Sequence, residues 1–234
     1  MNVIEYLVSG PFLTGALVTI GLTVLSMALG ILGGLVLAAA GSVPFAPLRW
    51  LVRGYIWLFR GTPVLLQLIF VFNVLPMVGL RFDSFTCAVI ALSLNEAAYM
   101  AEIVRGGLLG VAAGQRPAAQ MLGLTRSQTM LFVILPQVAR LVLPPTGNQV
   151  IGMLKTSALA SVVAVQDLML VAQRTAAGTF DYVGTLVAAA VLYLLLTTLL
   201  SGLLSTIERR MDTSRKSARR RKRAALLLTS EGGH

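Results

Sequence analysis

At 234 residues, 56% of them hydrophobic and only 12% charged, with a mean hydropathy of +0.83, the chain has the balance of a membrane protein. One cysteine, Cys87, excludes an intrachain disulfide and a cysteine-based metal site, and the only histidine, His234, excludes histidine-dependent chemistry in the core. The net charge of +10 is concentrated, because nine of the 19 lysines and arginines fall between Arg209 and Arg223.

Residues 1–10 carry Glu5 but no lysine or arginine, and an apolar run over 11–40 follows. Its end, Ala38-Ala39-Ala40-Gly41, has the small residues of a cleavage site. A signal peptide needs a basic leading segment and a shorter apolar core, so a retained first span is expected. Pro44, Pro47, Arg49 and Arg53 read as a short turn, with Arg49, Arg53 and Arg60 on one helical face and Trp50 and Trp57 nearby. That is an interfacial anchor pattern that places lipid among the partners. A second span is expected over 54–75, long enough to cross a bilayer at about 1.5 Å per residue. Within it Pro63 breaks the backbone ladder and Gly61 lets another segment come close. Arg60 reads first as a cation snorkelling to the headgroups, with substrate contact as the alternative.

The third span is expected over 84–104 and carries Asn95, Glu96, Tyr99 and Glu102 in its second half. A carboxylate at mid-helix costs about 2.5–3.5 kcal/mol on insertion scales, so Glu96 is expected to face protein or water. Glu102 and Arg105, three residues apart, are spaced to pair on one helix face. A polar loop over 106–128 follows. In it Gly123 is placed to end a short helix and Thr125 to cap the next. The fourth span, over 130–153, holds Pro136, Pro144, Pro145 and Gly147, and is expected to be interrupted where protein or an aqueous cavity satisfies the freed backbone groups. It leads into the polar run Lys155, Thr156, Ser157 and Ser161. Asp167, Arg174 and Asp181 mark a partly wet segment before the last span over 183–207. The chain therefore reads as an all-α polytopic membrane protein with five transmembrane helices. Residues 1–208 form the membrane domain and 209–234 a basic tail drawn to anionic lipid.

Several spacings carry a family resemblance. Ala118-Ala119, then Gly123 after a three-residue gap, then Leu135-Pro136, resemble the EAA loop of bacterial ABC-importer permeases. Arg60-Gly61-Thr62-Pro63 resembles the Arg-Gly-Thr-Pro signature of the polar amino-acid (histidine, glutamine, arginine and opine) branch. Glu102-Ile103-Val104-Arg105-Gly106 resembles its Glu-x-x-Arg-Gly, and Leu154-Lys155-Thr156-Ser157-Ala158 its Leu-Lys-x-Thr-Ser run, with Thr156, Ser157 and Ala158 at the x-Thr-Ser positions. The resemblance implies an ABC type I importer permease fold. It also implies that Gly114, Gln115, Ala118, Ala119, Leu122 and Gly123 form a coupling helix on a separate ATPase subunit. Pro117 stands where the family usually has Glu. Proline is tolerated in a first helical turn, where its N–H would be unpaired in any case.

The same resemblance implies two ATPase subunits per complex, an extracytoplasmic amino-acid-binding protein, and a second permease, identical or related. ATP and magnesium would sit on the ATPase. No Gly-x-x-x-x-Gly-Lys occurs in this chain, and no cofactor is expected on it. The substrate path is assigned to Asn95, Glu96, Lys155, Thr156, Ser157, Ser161 and Arg60, with Lys155 also able to pair with Asp167. With five spans, Arg49, Arg53, Arg105, Arg116, Arg126 and the tail share one side, against Arg81, Arg174 and at most Lys155 on the other. The positive-inside rule then places the N-terminus outside and the C-terminus in the cytoplasm of a bacterial inner membrane. A self-sufficient secondary transporter or channel and a non-transporting anchor are the alternatives. The former usually duplicates its halves, and the latter has no use for a proline-broken span or a polar run at membrane depth. Charge alone also permits nucleic acid, but no aromatic or fold signal supports it.

Overall fold

The computed structural model describes residues 3–211, so most of the basic tail lies outside the described residues. A short helix α1 (Val3–Leu7) precedes α2 (Gly10–Ser42), and after a turn come α3 (Ala46–Gly61) and α4 (Val64–Val74). A 3₁₀ turn, Leu75–Val78, leads to α5 (Ser84–Gly110), then α6 (Gln115–Met121) and the single turn α7 (Arg126–Gln128). A π-helical stretch, Thr129–Ile134, joins α7 to α8 (Leu135–Thr156), which tightens into a 3₁₀ segment, Ser157–Val163. Then α9 (Leu168–Thr179) and α10 (Tyr182–Met211) complete the described chain, which is helical with no strand among its described residues.

Caps set the ends of these helices. Asp83 starts α5 by accepting the Thr86 N–H at 3.2 Å and the Thr86 hydroxyl at 2.6 Å, bonds that hold its carboxyl below the usual carboxylate range. Asp167 caps α9 through the Leu170 N–H at 3.0 Å, and Asp181 accepts the Gly184 N–H at 2.9 Å in the first turn of α10. The segment expected to be partly wet is thus largely helical, and Asp167 is completely buried, with the Tyr193 hydroxyl donating to it at 3.5 Å.

Four helical stretches are long and apolar enough to cross a membrane, and α3 with α4 makes a fifth if the pair is one span bent by 105°. Packing decides between a broken span and a re-entrant loop. Gly30 of α2 lies against Glu96 of α5, and Gly34 against Met100 and Ala101, so the two helices run parallel. Parallel neighbours begin on the same face of the bundle, so the chain between them must cross back. Because α3 starts beside the end of α2 and α4 delivers the chain to the start of α5, the bent pair makes that return crossing. Next, Gly107 of α5 packs on Val138 and Val142 of α8, while Glu96 meets Gln149, so α8 is antiparallel to α5. Gly147 of α8 faces Leu204 and Glu208, while Tyr193, earlier in α10, reaches Asp167 beyond the C-terminal end of α8, so α10 is antiparallel to α8. Five crossings result. Residues 43–45, 111–134 and the end of α10 share one face, while α1, 75–83 and α9 share the other.

One sequence expectation holds here and one changes. The break expected at Pro63 divides the span over 54–75 into two helices, the first starting earlier at Ala46, because Pro63 has no N–H to continue the ladder and forces Thr62 into an extended conformation. The fourth span, expected to be interrupted near Pro144 and Pro145, is helical through both. Proline's φ is itself helical, so the adjacent pair removes two N–H donors without forcing the chain out of the helix. The irregularity falls elsewhere, in the π turn just before Pro136 and in the 3₁₀ segment after Thr156.

Candidate coupling helix and translocation path

The first candidate site is the helical turn presented between α5 and α8. Gly123 has φ +80, which other residues resist, and the helix ends in a complete Schellman motif. The Gly123 N–H donates to Gln120 O at 2.9 Å and the Leu124 N–H to Ala119 O at 3.2 Å. Thr125 opens the next turn with a capping box: its hydroxyl accepts the Gln128 N–H at 3.3 Å, and the Gln128 carbonyl oxygen accepts the Thr125 N–H at 2.9 Å. These reciprocal bonds fix the angle at which α6 leaves the bundle. Pro117 sits in its first turn, as the sequence permits.

The apolar residues of α6 do not share one face. Ala119 is buried against the π-helical stretch, whereas Ala118 is exposed and Leu122 is 83% exposed, next to Met121 at 89%. The reason is the helix end: Leu122 is the last residue before the left-handed glycine, so its side chain leaves the helical register. Gln115 accepts a hydrogen bond from Gln137 Nε2 at 3.2 Å, tying the start of α6 to α8, and Gly114 precedes it with helical backbone angles.

The residues assigned to the path divide into four groups, the last being Arg60 alone. Asn95 faces the break between α3 and α4. Its Nδ2 donates to Phe59 O at 3.0 Å and to Gln67 Oε1 at 3.0 Å. Gln67 Nε2 donates to Phe59 O at 2.9 Å, Thr62 O at 3.2 Å and Thr62 Oγ1 at 2.9 Å. In an unbroken helix Phe59 O would receive the N–H of residue 63, which is a proline. The two amides replace that missing donor. Sequence reading passed over the structural task of Gln67, although a polar residue four positions after a span-breaking proline is the signal that finds it.

Glu96 points elsewhere, so it does not share a cavity with Asn95. It is buried between Gly30 and Gln149, whose Nε2 donates to Oε1 at 3.4 Å. The expectation that Glu96 faces protein holds, and Gln149 is a partner the sequence did not single out.

In the third group Lys155 is exposed and forms no ion pair among the described residues, so the pairing with Asp167 does not occur. Asp167 is instead enclosed by the start of α9 and by Tyr193. Thr156 is half-buried, whereas Ser157 is fully buried and Ser161 nearly so. Their hydroxyls donate to Leu154 O at 2.9 Å and Ala158 O at 2.7 Å. Arg60 contacts Glu102 at 3.4 Å and lies 5.2 Å over the Tyr99 ring, while Arg105 binds the same carboxylate through two hydrogen bonds of 2.7 and 2.8 Å. The expected Glu102–Arg105 pair is therefore a three-residue cluster that ties the end of α3 to α5.

A five-crossing bundle that presents a rigidly capped helix between its third and fourth crossings is built as a membrane-embedded transport subunit. Residues 30–213 match the family described as the binding-protein-dependent transport system inner membrane component, and the chain belongs to that family. It is 42% identical over 209 residues to the arginine transport system permease protein ArgU of Corynebacterium glutamicum, covering 81% of this chain and 65% of that protein, just under two thirds of its length. It is 37% identical over 185 residues to the arginine transport system permease protein ArtQ of Bacillus subtilis, covering 78% of this chain and 84% of ArtQ. Among solved structures, an amino acid ABC transporter superposes with a TM-score of 0.81 at 38% identity, over 86% of this chain and 94% of the other. The fold is that of a type I ABC importer permease.

Proposed function

We propose that this chain forms the membrane path of an ATP-driven importer for a polar amino acid and couples it through α6 to a separate ATPase subunit. One observation carries the coupling role: a short helix, locked at its end by Gly123 and Thr125, projects Met121 and Leu122 fully into the surroundings. Large apolar side chains on a capped helix outside the bundle fit a cleft on another subunit. That face of the bundle also carries Arg49, Arg53, Arg105, Arg116 and Arg126, so the positive-inside rule supports a cytoplasmic position, where ATP is available. The opposite face, with α1, α9 and residues 75–83, would receive the substrate-binding protein from outside.

The working complex holds two such permeases, identical or related, and two ATPase subunits that carry ATP and magnesium. ATP binding draws the ATPase pair together, moves both α6 helices and opens the path outward, and hydrolysis resets it. The relatives named for arginine transport support a polar amino acid as cargo. Such a zwitterion needs an acceptor for its ammonium and donors for its carboxylate. Glu96 with Gln149 supplies the first, and Lys155 with Thr156 the second. Asn95 Nδ2, the Ser157 and Ser161 hydroxyl protons and Arg60 Nη1 are engaged by intramolecular partners, so we assign these residues to shaping the path rather than to binding within it.

Leu122→Glu tests the coupling role. Burial of a leucine side chain is worth about 2 kcal/mol, so the variant should bind the ATPase about thirtyfold more weakly and lose uptake while inserting normally. Wild-type ATPase recovery with this variant would refute the assignment.

A further inference from the structure

Between the end of α2, α3 and the end of α5 lies a cleft of about 350 Å³ whose walls differ in character. Its inner surface is apolar, from Leu37, Val52, Ile56 and Leu108, and its rim carries Arg49, Arg53, Arg105 and Glu102. Glu102 is already bound to Arg105 and Arg60. Arg49 and Arg53 meet no carboxylate among the described residues, and Arg53 lies 5.8 Å over the ring of Trp50. On the outer side of α3, Trp50 is 71% and Trp57 77% exposed, at the level where tryptophan marks a membrane interface.

We propose that this cleft is a binding site for the headgroup of an anionic phospholipid. Its phosphodiester would sit between Arg49 and Arg53, and its chains would run along the apolar wall. The charge pattern fits this ligand on two counts. Two guanidinium groups without carboxylate partners offer several N–H donors to phosphate oxygens in a geometry lysine does not match. The third, Arg105, has its guanidinium occupied by Glu102, which it shares with Arg60, so it is less available to a phosphate than Arg49 and Arg53. A free phosphate would use the arginines but leave the apolar wall in contact with water. A phospholipid covers both, and the tryptophans place the rim at headgroup depth. Because α3 is the first half of the bent crossing, a bound lipid would brace the segment that leads into the break at Thr62-Pro63.

The site can be tested on the intact complex with its ATPase, stripped of lipid and then titrated with phosphatidylglycerol, phosphatidylcholine or inorganic phosphate under native mass spectrometry. Wild type should retain phosphatidylglycerol in preference to phosphatidylcholine. Arg49→Gln with Arg53→Gln should weaken retention about thirtyfold, at roughly fivefold for each arginine. Arg49→Lys with Arg53→Lys, which keeps the charge but not the guanidinium fork, should recover part of it and guards against a folding defect. Equal phosphatidylglycerol retention by wild type and the glutamine variant would overturn the proposal. So would displacement of the lipid by millimolar phosphate, which would mark a free-anion site, or equal retention of both lipids.

Discussion

The amide pair at the break between α3 and α4 can be removed one half at a time. Gln67 Nε2 has two protons to share among Phe59 O, Thr62 O and Thr62 Oγ1, and its Oε1 accepts from Asn95, so Gln67→Leu deletes about three effective hydrogen bonds. Within membranes such bonds average about 0.6 kcal/mol, and a buried polar group left without a partner costs about 1–3 kcal/mol. Gln67→Leu should therefore destabilise the fold by about 2–3 kcal/mol. Asn95→Leu removes two bonds and should cost about 1–2 kcal/mol. Both variants delete the Asn95–Gln67 bond, which alone would leave the double variant about 0.6 kcal/mol short of the sum, but Phe59 O keeps one donor in each single variant and none in the double, where its orphaning costs about 1–3 kcal/mol, so the double variant should exceed the sum. Reversible unfolding in mixed micelles measures all four corners of the cycle. If Gln67→Leu unfolds like wild type, or the two costs simply add, the amides do not replace the donor that Pro63 lacks.

Four further outcomes follow from the same structure. Gly34→Ala should destabilise by about 1–3 kcal/mol, because a Cβ there would lie 3.0 Å from Ala101 N and 3.1 Å from Ala97 O, and backbone cannot move aside as a side chain can. Gly54→Ala, with nothing within 4 Å of its Cβ, should be neutral or slightly stabilising in the same unfolding assay. Thr156→Val should lower uptake per folded complex, whereas Ser157→Val should cost about 1–2 kcal/mol of stability and leave uptake per folded complex intact; the reverse pattern in proteoliposomes would move the path to Ser157. Single cysteines at Met77 and Gln115 in a Cys87→Ser background should react with an impermeant reagent from opposite sides of the membrane, and labelling from one side would overturn the five crossings.

The helical class, the approximate spans and the local ends of α6 were all legible in the sequence, for one physical reason. They depend on interactions within a few residues: apolar runs long enough for a bilayer, a glycine able to adopt φ +80, and a threonine placed to cap. Pro63 likewise announced a break by its missing N–H. What replaces that N–H was not legible, since Asn95 lies 36 residues from Phe59 and only the packing of α5 against the bend brings them together. The separation of Asn95 from Glu96 has the same origin. Adjacent residues on a helix point about 100° apart, so one meets the α3–α4 break and the other meets Gly30 and Gln149. Ser157 shows the limit from the other direction. A hydroxyl in a polar run reads as pathway until the 3₁₀ turn directs it to Leu154 O inside the core, and that turn belongs to the tertiary structure.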